Sequence, residues 1–141
     1  MPPEKIAASA LTLDLSPRIV TTTTVTGSPA LAAETVVATL PAFNANCAVI
    51  AGAFVWAVVS YTVGTSGTNV TLRVRQTGVA GTLISSTGGM TRAAASLQSD
   101  SVYGFDTAPA IPGQVYVVTM QVTAGAAVST VSAVTVLGLL I

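Results

Sequence analysis

The sequence predicts an all-β fold, an antiparallel β-sandwich of jelly-roll-like form with an extended N-terminal arm. Three observations predict it. Short runs rich in Val and Thr recur between turn signals built from Gly and Pro. One run, Asn69 to Gln76, alternates Val70, Leu72 and Val74 with Thr71, Arg73 and Arg75, the two-residue period of a half-buried strand. No stretch supports a long helix, so the strands must pack on one another.

The elements follow in order. Leu11, Leu13 and Leu15 alternate with Thr12 and Asp14 until Ser16-Pro17 interrupts. Residues 1–17 therefore read either as an arm that reaches a neighbour or as a first edge strand. Residues 18–141 read as a single sandwich domain, a size at which roughly two-thirds of the unfolded surface is buried. Strands are expected at Arg18 to Thr26, at Thr35 to Leu40, and from Val49 to Val63, the last either bent at Gly52 or divided in two. Gly64-Thr65-Ser66-Gly67 turns the chain into Asn69 to Gln76, and Gly78-Val79-Ala80-Gly81 into Thr82 to Ser86. Thr87 to Ser99 reads as a loop with one short helical turn, and Ser101 to Asp106 as a short strand. Pro109 and Pro112 lack a ladder donor and mark a connection. Gln114 to Thr123 and Val128 to Leu140 complete the sandwich. Trp56 is expected in the core of the long central strand, and Tyr61, Tyr103 and Tyr116 at the core or its edge. The aliphatic end Leu137-Gly138-Leu139-Leu140-Ile141 is buried either within the subunit or at an interface.

Composition narrows the function. The 141 residues hold five basic and five acidic side chains and no histidine, so 7% are charged where about 25% is usual. Such a surface is poorly solvated as a lone monomer, which points to an assembly protein covered by its neighbours. Zero net charge gives no long-range attraction to nucleic acid or anionic lipid, and neither is expected as a partner. Ala45 to Val63 is uncharged and matches the roughly 20 residues of a membrane span. Its Val content and its distance from Arg18 and Arg73, the nearest basic residues, favour a buried strand instead. The first residues show no signal-peptide pattern, so synthesis in the cytoplasm is expected.

The same deficit bears on chemistry. Without an imidazole, a histidine-based nucleophilic site is excluded in its usual form. Cys47 is single, precedes the apolar run Ala48-Val49-Ile50, and reads as a structural thiol. One Cys cannot supply a zinc site, and Asp100 and Asp106 have no calcium-loop spacing. No catalytic residue, metal or cofactor is expected, and the protein reads as a non-enzyme. The candidate partner-binding residues are Ile6, Leu11, Leu13 and Leu15, which suit a groove on a neighbouring subunit, together with Arg73 and Arg75. Those two project from one strand face about 7 Å apart, either clamping acidic groups of a partner or keeping a solvent face soluble.

In texture, the chain resembles the jelly-roll head-decoration (cement) proteins of tailed bacteriophages. The resemblance rests on the Thr/Val/Ala strands, the hairpin from Asn69 to Gly78, and the passage Ile111-Pro112-Gly113-Gln114-Val115-Tyr116-Val117. It implies a homotrimer on the capsid exterior of a virion, bound to the major capsid protein lattice and reinforcing it. The alternative is a trimeric fibre-tip or adhesin-type module that recognises host glycan or protein through a loop such as Thr87 to Ser99.

Overall fold

Among the described residues, nine strands build two facing sheets. The computed structural model describes residues 18–27, 32–43, 52–64, 67–123 and 129–141, without the side chains of 18–27 and 129. In chain order the strands are β1 (Arg18–Gly27), β2 (Thr35–Leu40), β3 (Ala53–Val63), β4 (Thr68–Gln76), β5 (Leu83–Ser86), β6 (Met90–Arg92), β7 (Leu97–Asp106), β8 (Tyr116–Thr123) and β9 (Ser129–Leu140). One sheet has the order β1-β9-β3-β7, and the other β2-β8-β4-β5 with β6 also on β4. Every pairing is antiparallel. Apart from the β4–β5–β6 hairpin region, the chain crosses to the opposite sheet at each connection, which is the winding of a jelly roll. The all-β antiparallel sandwich expected from the sequence is the fold observed.

The alternating pattern sets which face each strand buries. On β3, Ala53, Val55, Ala57, Val59, Tyr61 and Val63 are fully buried and face the second sheet. From β4 they meet Val70, Leu72 and Val74, also fully buried, as the sequence pattern required. Leu40, Phe43, Tyr116 and Met120 fill the rest of the interior. Each such Val or Leu contributes roughly 1.5–3 kcal/mol relative to exposure, so the sandwich is held by many small side chains rather than a few aromatics. A β-bulge at Ser132 corrects the phase of β9: Tyr61 registers with Val131 but Ser60 with Ala133, so Val131 and Val134 both face inward. Gly138 lies on that inward face, where a Cβ would stand 2.3 Å from Leu40 Cδ2 and 2.7 Å from Phe43 Cζ.

Three expectations change. Thr87 to Ser99 is not a plain loop, because it contains β6 and the start of β7. Trp56 is on the central strand, but on its outer face and only partly buried. Its phase is set by Tyr61 and the small residues that alternate with it, which fit the narrow gap between the sheets. Tyr103 is no core residue either: it is 64% exposed, whereas Tyr61 and Tyr116 are fully buried. Arm residues 1–17, including Ile6, Leu11, Leu13 and Leu15, lie outside the described residues, as does Cys47. Among the described residues no helix is long and apolar enough to cross a membrane.

Candidate interaction surfaces

The two outer faces of the sandwich differ in kind. On the five-stranded sheet, Arg73 and Arg75 project outward from β4, and Glu34, just before β2, reaches across β8 to meet both. Arg75 donates to the Glu34 carboxylate through Nε at 2.6 Å and Nη2 at 3.1 Å. Arg73 Nη1 lies 3.3 Å from Glu34 Oε2, and its Nη2 donates to Gln121 at 3.1 Å. The Thr119 hydroxyl, fully buried beneath, donates to the same carboxylate. The Arg75 hydrogen bond is the main reason the Glu34 carboxyl is held below its ordinary value, and it outweighs the opposing effect of burial. Both sequence-chosen arginines are therefore brought together, with their guanidinium groups already turned onto the chain's own Glu34. Sequence reading did not pair Glu34 with the arginines because 39 residues separate it from Arg73; only the strand order puts it there.

The remaining described charges are also engaged internally. Arg92 forms a bidentate pair with Asp100, and the Tyr61 hydroxyl donates to the same carboxylate. Burial, followed by that hydrogen bond, pushes the Tyr61 phenol up to about 12. Asp106, 6% exposed, accepts from Tyr116 at 2.7 Å, Gln76 at 2.6 Å and the Ala108 amide at 3.0 Å. Burial pushes its carboxyl up, yet the three donors together bring it below its ordinary value. Among the described residues, no three Cys, Asp or Glu side chains are grouped to hold a metal.

The outer face of the four-stranded sheet carries no charge on β3, β7 or β9. At one end, register places Phe54 between Phe105 and Leu139, and Trp56 between Tyr103 and Leu137. Phe105 is 45% exposed, and its ring closes over Gly52, whose absent Cβ would stand 2.3 Å from Phe105 Cζ. Phe54 and Tyr103 rings lie 6.3 Å apart in a tilted arrangement. Farther along the strands the face continues as Val58, Ser101 and Thr135, then Ser60, Ser99 and Ala133. The signal was present in the sequence, since Phe54 and Trp56, Tyr103 and Phe105, and Leu137 and Leu139 are each two residues apart within a strand. What it lacked was the phase that turns them outward. A third feature is a groove of about 240 Å³ between the edges of β5 and β7, lined by Ser85, Ser86, Thr87, Ser101, Val102 and Tyr103.

No protein-family model and no curated protein matches the chain. Solved structures share its fold. The chain of infectious bursal virus derived T=1 particles is similar with a TM-score of 0.54 and 11% identity, over 91% of this chain and 32% of that one. PorU from Porphyromonas gingivalis, in a dimeric latent form, gives 0.53 and 10% identity, over 86% of this chain and 12% of that one. A chain of the disulfide-linked Bacillus endospore appendages gives 0.42 and 20% identity, over 89% and 91%. This chain thus spans about a third of the viral particle chain. For the viral particle chain and PorU the likeness is one of fold, at 11% and 10% identity.

Proposed function

We propose that this protein is a non-enzymatic structural subunit that acts by oligomerising and by packing against a larger lattice. The more specific form of the reading is a virion protein on a capsid exterior, a homotrimer that binds the shell and stabilises it. The observation that carries the reading is the uncharged outer face around Phe54, Trp56, Tyr103, Phe105, Leu137 and Leu139. A contiguous apolar patch on a soluble monomer is usually limited to a few hundred Å², and a larger one marks an interaction site. Here the patch lies on one sheet face in a chain with almost no charge, which suits close packing of many copies. The share of fold with a viral particle chain supports the same reading.

A second reading is a fibre-tip or adhesin-type module for host glycan or protein, and the groove between β5 and β7 favours it. Its wall joins the hydroxyls of Ser85, Ser86, Thr87 and Ser101 to Val102 and one exposed ring, Tyr103, a mixture of polar and apolar groups that suits a sugar. Sedimentation and light scattering of the full chain at micromolar concentration distinguish the two, together with pull-down on empty capsids and on a glycan array. A defined oligomer that binds capsids supports the structural reading. A monodisperse monomer defeats it, and a monomer that retains glycans establishes the module instead.

A further inference from the structure

We propose that the apolar end of the outer sheet face, formed by Phe54, Trp56, Tyr103, Phe105, Leu137 and Leu139, is the seat for the leucine-bearing segment 11–15 of a neighbouring copy. The inference rests on the structural-subunit reading and names the partner of its interface.

Three features of the chain lead to this occupant. The first is chemistry. Leu11, Leu13 and Leu15 fall on one side of an extended segment, and Thr12 and Asp14 on the other. An extended strand with that alternation lays an aliphatic row on an aromatic face and turns its one carboxylate to water.

The second is where the described chain begins. β1 is an edge strand, and Arg18 registers with Gly138, beside Leu137 and Leu139. The 17 residues before it therefore enter at the end of the sheet where the apolar patch lies. On other parts of the outer face Ser and Thr predominate, and a leucine row gains little there.

The third feature favours a neighbour's segment over the chain's own. From β1 the aromatic positions on β3 and β7 are two and three strands away, about 10 and 14 Å laterally, and a covering layer stands about 10 Å above them. Leu15 is three residues from Arg18, so its backbone reaches at most about 10 Å from it. Leu15 therefore cannot sit over its own Phe54 or Tyr103, and the chain's own segment can bring only Leu11 and Leu13 to the aromatic positions. A neighbouring copy presents the whole segment without that restriction. Two copies can exchange such arms reciprocally about a two-fold axis, or the arms can pass head to tail around a closed ring, a trimer included.

The test uses two full-length variants that each lose one half of the contact. The arm variant is Leu11→Glu/Leu13→Glu/Leu15→Glu, with the single substitution Leu13→Glu as its replacement if circular dichroism shows loss of β structure. The face variant is Tyr103→Glu, at a side chain exposed enough to tolerate it. Each alone is expected to self-associate about 100-fold more weakly than the native chain or not at all, since each buries a carboxylate on an apolar contact. Mixed one to one, they form a heterodimer in sedimentation velocity, because the intact arm of the face variant meets the intact face of the arm variant. Trp56 emission shifts to the blue only in that mixture. Native-like assembly of either variant alone overturns the proposal, and so does a mixture that stays monomeric, which places the segment on its own subunit or elsewhere. A native chain that is itself monomeric defeats the structural-subunit reading instead.

Discussion

The substitution Glu34→Gln removes one negative charge and leaves Arg73 and Arg75 facing each other across the space it occupied. The bidentate Arg75 contact, at 2.6 and 3.1 Å, and the Arg73 contact at 3.3 Å lose their charge assistance together. The glutamine amide retains one acceptor oxygen but turns an N–H toward a guanidinium that can only donate. Breaking a fully buried ion pair costs about 3–5 kcal/mol, whereas a solvent-exposed one contributes about 0–1 kcal/mol. The side chains here are 18–19% exposed, which places the expected loss at about 2–3 kcal/mol. For a chain of this length that is a fall in Tm of about 8 °C, measured by calorimetry at one fixed protein concentration. The sign with pH is also determined. The Glu34 carboxyl is held below its ordinary value of 4.5, so its contribution is present above that pH and is lost as the pH falls through the lower folded value. The stability curves of the native chain and of the Glu34→Gln variant should therefore converge in acid. A variant that melts within about a degree of the native chain at neutral pH, or curves that stay parallel down to about pH 3, would refute the reasoning.

Further outcomes follow from the same structure. Leu72→Ala, at a fully buried site, should cost about 2–5 kcal/mol in urea unfolding with the slope unchanged. Trp56→Ala should cost less than a core aromatic, about 1–2 kcal/mol, and should weaken self-association more than folding, read by sedimentation against denaturation midpoint. Tyr61 keeps its proton up to about pH 12, above the ordinary value of 10.0, so the stability it contributes is complete below pH 10 and declines as the pH rises toward 12. Alkaline melting of Tyr61→Phe should decline less steeply, keeping the loss that comes from Tyr116, whose phenol is also pushed up by burial and by Asp106. Gly138→Ala places a methyl group against Leu40 and Phe43 and should destabilise by about 1–3 kcal/mol in thermal unfolding.

Strand positions were legible wherever one face was clearly apolar and the other polar. Asn69 to Gln76 shows this best, since Val70, Leu72 and Val74 admit only one inward phase. β3 was legible as a strand but not in phase, because Phe54, Trp56 and Val58 on one side are as apolar as Val55, Ala57 and Val59 on the other. Tyr61 and the small residues in phase with it decided between them: Ala53, Val55, Ala57 and Val59 fill the gap between the sheets, with Phe54 and Trp56 turned outward. The candidate surface was hidden by the same ambiguity. β6 escaped notice because its three residues carry no alternation and exist through pairing with Thr68, Asn69 and Val70. The Glu34 cluster is a product of sheet order, which no local pattern encodes.

The internal pairing of Glu34, Arg73, Arg75, Arg92, Asp100 and Asp106 also governs how copies of the chain meet. Arg92 is matched by Asp100, Glu34 meets both Arg73 and Arg75, and Asp106 is held by neutral donors, so the six charges sum to zero and little net field extends beyond the sandwich to guide a partner in or to hold it off. Unsteered encounters between proteins run at about 10⁵–10⁶ M⁻¹s⁻¹ and change little with ionic strength. The four other ionisable side chains of Asp, Glu, Lys or Arg type, Glu4, Lys5, Asp14 and Arg18, all fall in the first 18 residues. Association should therefore depend on salt only weakly, through that short stretch and through the second arginine that Glu34 leaves unneutralised.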